Sequence, residues 1–300
     1  MTALTDIKPF PVRLRRSILS VPAGNVRALE KVPGLDCDAV IFDLEDSVAP
    51  EKKGEARDNL RRLFKEKPLQ DREAIIRINP LETEFGQADM DLVVGVSPNA
   101  VLIPKVEHVA QIHAVADILS DAGASDHLAI WAMIETPKGI LNAAAIAGTD
   151  ERLRCFVVGL NDLRKETGVL PQPGRTYLVP WLMQVVLAGR AHGVDVIDSV
   201  FNDFRDEEGF DAECAQGQVM GFSGKMLIHP AQIEPANRYF GPDPAAMEEA
   251  EAVIAAFAQP EAQHLNVINL NGKMVERLHL VEAEQLVARA RIISERKKTL

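Results

Sequence analysis

A chain of 300 residues with 47% hydrophobic and 26% charged side chains is long enough for one large α/β domain or two ordinary ones. Its formal net charge of −11, from 44 acidic against 33 basic residues, opposes the positive field that a general nucleic-acid surface needs, and no aromatic-interleaved basic patch offsets it. The longest apolar stretch, LVPWLMQVVLAG at 178–189, falls short of the roughly 20 residues of a membrane span, and Cys37, Cys155 and Cys214 are odd in number and widely spaced, which reads as small core residues rather than a disulfide or zinc framework.

In chain order, RLRRSILSVPAG sets Arg15 and Arg16 before an apolar stretch that stops at Val21-Pro22, too short for the h-region of an export signal. A cytoplasmic protein with neither membrane nor nucleic-acid partners is expected. SILSVPA is the first of eight strand-length apolar runs, followed by AVIFDLE, AIIRINP, AVLIPKV, LAIWAMIE, CFVVGLN, VDVIDSV and KMLIHP. Helical patterns lie between them: NVRALEKV, PEKKGEARDNLRRLFKEK, a weaker DMDLVVGV, EHVAQIHAVADILSDAG, KGILNAAAIAG, YLVPWLMQVVLAGRAHG, FDAECAQGQVMG and PAQIEPANRYFG. Near-continuous apolar strands alternating with helices predict a parallel sheet covered on its faces, and eight units in about 230 residues fit a closed (β/α)8 barrel. The alternative is an open doubly wound sheet, but its G-x-G-x-x-G turn is missing after the first strand, where Pro22-Ala23-Gly24-Asn25 stands instead. The barrel is expected over 1–240. Residues 241–300 then form an extension of a helix ended by Pro260, an extended stretch or hairpin around Asn271-Gly272 and a terminal helix, packing on the barrel mouth or on a neighbouring subunit.

Barrel sites lie at the carboxyl ends of the strands. The polar residues there are Asp43, Glu45 and Asp46 after strand two, Arg77 and Asn79 in strand three, Lys105 after strand four and Glu135 after strand five. Asn161 and Asp162 follow strand six, Asp198 and Asn202 lie around strand seven, and His229 follows strand eight. Glu135 and Asp162, 27 residues apart (135 to 162), are one β/α unit from each other and so occupy adjacent strand ends. Two neighbouring carboxylates repel unless a cation lies between them, and Mg²⁺, which takes oxygen ligands and keeps several waters, suits them better than zinc, since His229 is the one histidine placed at the rim. Each residue also has a structural reading. Glu135 could cap the helix that starts in ETPKG, Asp162 could be an N-cap or turn residue, Arg77 and Asn79 could pair with the acids in a buried network, His229 could be a satisfied structural histidine, and Lys52, Lys53 and Arg57 could form a solvated helix face.

The stretches RRSILSVPAGN, DAVIFDLEDSVAPEKKGEAR, IIRINP, VLIPKVE, AMIETPKGI, VVGLNDL, IHPAQI and GKMVE resemble, in order and spacing over about residues 13–295, the citrate lyase β-subunit-like family (HpcH/HpaI aldolase/citrate lyase superfamily), which includes malyl-CoA and citramalyl-CoA lyases. The resemblance implies an oligomeric (trimeric or hexameric), Mg²⁺-dependent (β/α)8 enzyme that breaks or forms a carbon–carbon bond in a β-hydroxyacyl-CoA thioester. It further implies that Glu135 and Asp162 ligate the metal, Glu45 and Asp46 hold its waters, and Arg77 contacts the substrate and its thioester oxygen. Backbone amides of Gly159, Leu160 and Asn161 could cradle the substrate carboxylate, and Arg16 and Lys53 are the cations expected to meet CoA. In lyase members, aspartate usually stands where this chain has Glu276, and that residue reaches a neighbouring subunit's site as acid or base. Glutamate is one methylene longer, and a catalytic group misplaced by about 1 Å can lose about 10²-fold in rate. Three other readings compete: the β subunit of a multi-component citrate lyase acting on a carrier-bound thioester, a CoA-independent pyruvate aldolase, and a binding or scaffold protein.

Overall fold

The computed structural model describes residues 13–69 and 72–297. Its strands are β1 (Ser17–Pro22), β2 (Ala39–Asp43), β3 (Glu73–Arg77), β4 (Ala100–Ile103), β5 (Ala129–Ile134), β6 (Leu153–Val158), β7 (Asp195–Asp198) and β8 (Gly224–Leu227). They pair in sequence order, all parallel, and β8 pairs back to β1 to close an eight-stranded barrel. Closure removes the sheet edges that the open alternative would leave. The helices around it are α1 (Val26–Lys31), α2 (Lys53–Glu66), α3 (Gly86–Val96), α4 (Val109–Asp121), α5 (Pro137–Ala147), α6 (Leu160–Thr167), α7 (Val179–His192), α8 (Glu207–Met220) and α9 (Ile233–Tyr239).

The apolar runs are continuous because each strand is buried on both sides. Alternate residues build two shells. Ile41, Ile75, Trp131, Met133, Val157 and Ile197 fill the barrel interior, while Val40, Phe42, Ile76, Ile130, Phe156 and Val196 pack under the helices. Cys37, Cys155 and Cys214 are all buried, as their spacing suggested. One helix escaped the sequence reading: α6 follows β6 directly, and its composition, LNDLRKET, is too polar and too short to show an apolar stripe.

The described residues fall into two compact units, Arg15–Phe240 and a second made of Gly241 onward with Arg13 and Leu14. In the second, α10 (Pro244–Phe257), β9 (Val267–Leu270), β10 (Lys273–Glu276) and α11 (Arg277–Lys297) share a small core of Ala250, Val253, Phe257, Val275 and Ala283. The hairpin turns at Asn271 and Gly272, both with positive φ, as a two-residue loop between antiparallel strands requires. Among the described residues no helix is long and apolar enough to cross a membrane.

Candidate active site

The two-residue period of the strands decides which strand-end polar groups enter the barrel mouth. Counting on from the interior residues, Ile41 leads to Asp43, Ile75 to Arg77, Met133 to Glu135, Val157 to Gly159 and Ile197 to Ser199. Asp43 and Arg77 are register partners on neighbouring strands. The Arg77 guanidinium donates through Nε and NH2 to both carboxylate oxygens of Asp43, each at 2.6 Å, while its NH1 lies 3.2 Å from Glu45 Oε2. Burial alone would raise the Asp43 carboxyl, but the Arg77 hydrogen bonds and charge outweigh it, helped by the Ser47 side chain and the Glu45 N–H, and hold it below the ordinary range.

Glu45 is buried and accepts from Lys105 Nζ at 2.7 Å through Oε1. Its Oε2 is buried and makes no hydrogen bond, although Arg77 NH1 stands 3.2 Å away as an ion-pair partner. Burial outweighs the two cations and raises its pKa. Lys105 has a left-handed backbone (φ 49), which aims its N–H at Glu135 Oε1, 2.9 Å away, while its ammonium reaches Glu45. Glu135 is not a helix cap, because Thr136 takes that role for α5 by accepting from the Gly139 N–H. Freed from capping, Glu135 is 2% exposed, and burial pushes its carboxyl up to about 7 against the pull of Arg77. It packs against Gly159, where a Cβ would fall 2.3 Å from Glu135 Oε2. Gly159 is the N-cap of α6, so Asp162, the third residue of that helix, stands in its first turn. Asp162 is half-buried, and its carboxylate makes no hydrogen bond or ion pair among the described residues.

These residues fit a small hard cation. The donors are oxygens, the Glu135 carboxylate is desolvated and incompletely neutralised, Asp162 is unpaired, and Glu45 Oε2 makes no hydrogen bond. Among the described residues no group of three or more His, Cys, Asp and Glu forms a protein cage for a metal. An ion held by two carboxylates and otherwise by water needs none.

Other sequence expectations are redrawn. Glu45 and Asp46 are not equivalent, since Asp46 has a side chain 59% exposed at 3.8 Å from Lys105 Nζ. The Gly159 N–H donates to the Ile134 carbonyl and the Leu160 N–H to Ser199 Oγ, so neither amide is free to hold a substrate carboxylate. The exposed Asn161 side chain exchanges hydrogen bonds with Asn202. Arg16 precedes β1, at the amino ends of the strands and away from the mouth, where it forms a two-pronged pair with Asp38 at 2.8 Å. Lys53 is neither on a solvated face nor free for CoA: it is buried, and its ammonium donates to the carbonyls of Leu44 and Glu45, at 2.8 and 3.0 Å, clamping the loop that carries Glu45. Arg57 likewise pairs with the buried Asp89, which also holds Asn79. Asp198 has the parity of Val196 and faces the helix layer rather than the mouth. His229 caps the turn before α9 and stacks on Phe204, its structural reading. Glu276 ends β10 in the second unit, where its N–H donates to His279 Nδ1. Lys105 and Asp43 were legible as rim residues, but nothing local in the sequence marks their partners.

Comparison with known proteins identifies the family. The chain is 46% identical over 279 residues, 93% of its length and 95% of the relative's, to a (3S)-malyl-CoA thioesterase of Cereibacter sphaeroides. It is 32% identical to the citrate lyase subunit beta of Haemophilus influenzae, over 96% of this chain and 98% of that one. Among solved structures, the CitE protein of Mycobacterium tuberculosis in complex with magnesium, acetoacetate and coenzyme A superposes with a TM-score of 0.72 at 28% identity, covering 91% of this chain and 97% of that one. Residues 16–230 match the HpcH/HpaI aldolase/citrate lyase family as a whole. With the closed barrel and a carboxylate–guanidinium mouth already in view, the chain belongs to the HpcH/HpaI aldolase/citrate lyase family.

Proposed function

We propose that this protein is a Mg²⁺-dependent carbon–carbon lyase acting on a β-hydroxyacyl-CoA thioester of malyl or citramalyl type. The observation that carries the reading is one barrel mouth holding a buried carboxylate fit for a cation, Glu135, with a guanidinium immobilised by Asp43, Arg77, and a buried acid with one oxygen outside any hydrogen bond, Glu45. Glu135 and Asp162 would hold the Mg²⁺, which when bound supplies Lewis-acid polarisation of substrate oxygens. Glu45 is the residue we assign to accept the proton of the β-hydroxyl group. As that proton leaves, the bond between the carbinol carbon and the α-carbon breaks and its electron pair moves into the thioester as an enolate, leaving a keto acid. Arg77 faces the developing enolate oxygen and needs no reorientation, because Asp43 already fixes it. A proton returned to the α-carbon completes acetyl-CoA, and Glu276 is the residue we assign to deliver it, to the site of a neighbouring subunit in a homo-oligomer.

A second reading has its own support. Arg77 would equally stabilise the tetrahedral oxyanion of thioester hydrolysis, and the 46% identity is to a thioesterase. Incubating malyl-CoA, citramalyl-CoA and citryl-CoA with the protein, with Mg²⁺ and with chelator, separates the two. Acetyl-CoA and an equimolar keto acid identify the lyase; free CoA and the intact hydroxy acid identify the hydrolase. Chelator-insensitive turnover would remove the metal from either scheme, and turnover of carrier-bound thioester alone would indicate a citrate lyase subunit.

A further inference from the structure

The mouth is supported from behind by a buried ionic cluster that the proposed chemistry does not use. Asp198, at the end of β7, accepts from Arg175 NH1 at 2.7 Å and from the Ser199 backbone N–H at 2.8 Å through Oδ1, and from Lys225 Nζ at 2.9 Å through Oδ2. Lys225 also donates to Glu213 of α8 at 2.7 Å. Asp198, Ser199 and Lys225 are fully buried. Ser199 is the next residue along the strand and so points the opposite way, into the mouth, where its Oγ accepts the Leu160 N–H at 3.0 Å. Leu160 is the first residue of α6, and Asp162 lies two residues on. The first backbone amide of a helix has no partner within that helix. Here it is tied to β7 instead.

We propose that Ser199 is a positioning residue for the cation end of the site: anchored by the Asp198–Lys225–Arg175 cluster, it pins the first turn of α6 so that Asp162 stands at a fixed distance from Glu135. This rests on the reading of Glu135 and Asp162 as the cation-holding pair. Mg²⁺ tolerates little departure from octahedral geometry, and loss of a residue that orients a ligand typically weakens metal binding about 10- to 100-fold. Ser199→Ala changes no charge, so altered affinity reports geometry rather than field.

The test is Mn²⁺ binding to the full chain, followed by electron paramagnetic resonance and calorimetry, alongside thermal unfolding without metal. Ser199→Ala is expected to weaken Mn²⁺ binding about 10-fold at a temperature where it is fully folded, and Ser199→Thr, which keeps the hydroxyl, to restore it. If Ser199→Ala does not fold, Ser199→Cys, near in volume but with a poor acceptor, is expected to show the same loss. Wild-type binding matched within twofold by a folded Ala or Cys variant would overturn the role of Ser199 alone. Wild-type protein that takes up no Mn²⁺ would overturn the metal reading itself, and this inference with it.

Discussion

Single side chains in the mouth differ in whether they are also structural supports. Asp162 has no partner among the described residues, so Asp162→Asn should abolish Mg²⁺-dependent turnover while moving the denaturant midpoint little; full activity in that variant would overturn its assignment as a ligand. Arg77 is the opposite case. It is 8% exposed and neutralises Asp43, itself fully buried, so Arg77→Met leaves an uncompensated charge in the interior. A stability loss of roughly 3 kcal/mol is expected in urea titrations, because breaking a buried pair costs more than the pair itself contributes. Arg77→Lys keeps the charge but gives up the two-pronged grip on Asp43, and kcat should fall by about 10²-fold or more with a smaller change in stability. A lysine variant with wild-type kcat would mean that charge alone suffices there.

Strand ends and helix starts carry the next level of organisation. At the junction of β6 and α6, Gly159 is required by proximity and not by its backbone angle, for φ is −110°. A Cβ there would meet Glu135 Oε2 at 2.3 Å. Gly159→Ala should therefore displace the Glu135 carboxylate and cut kcat and Mn²⁺ affinity each by at least about 10-fold, and crystallography of the variant would show whether Glu135 has swung away. Across β7, β8 and α8, Asp198 illustrates the pH behaviour of the buried cluster. Burial would raise its pKa, but Lys225 and Arg175 outweigh it and hold the carboxylate below its ordinary value near 3.8. A carboxyl lowered on folding contributes stability above its unfolded pKa and loses it as pH falls through the folded value. Asp198→Asn should accordingly be less stable than wild type by about 3 kcal/mol near neutrality, and the gap should narrow below about pH 4. A gap independent of pH would show that packing, not charge, is what the substitution removes.

At the scale of the molecule, Asp43, Glu45, Arg77, Glu135 and Asp162 all lie within Arg15–Phe240, a unit with its own closed sheet and core, whereas Glu276 belongs to the unit beyond it. A chain ending at Phe240 is expected to unfold cooperatively and keep Mn²⁺ affinity but lose most turnover; Glu276→Gln in the full chain should reproduce the loss of turnover without the truncation. Undiminished kcat in both would remove the extension from the chemistry. The sequence alone determined the eight-unit barrel and the rim residues from which the site is drawn, because apolar runs and strand-end position are local properties of the chain, whereas the stretch around Asn271-Gly272 was shown to be a hairpin only by the pairing of β9 with β10. It could not determine which rim residues face inward, since parity separates Asp198 from Ser199 by one position. Nor could it determine the partners. Asp43 meets Arg77 across 34 residues and Lys105 meets Glu45 across 60, while Lys53 and Arg16, indistinguishable in sequence from free surface cations, are drawn into the interior. Pairings at that separation arise only when the barrel closes, because closure brings the strand ends together and removes the water that would otherwise have solvated each charge singly.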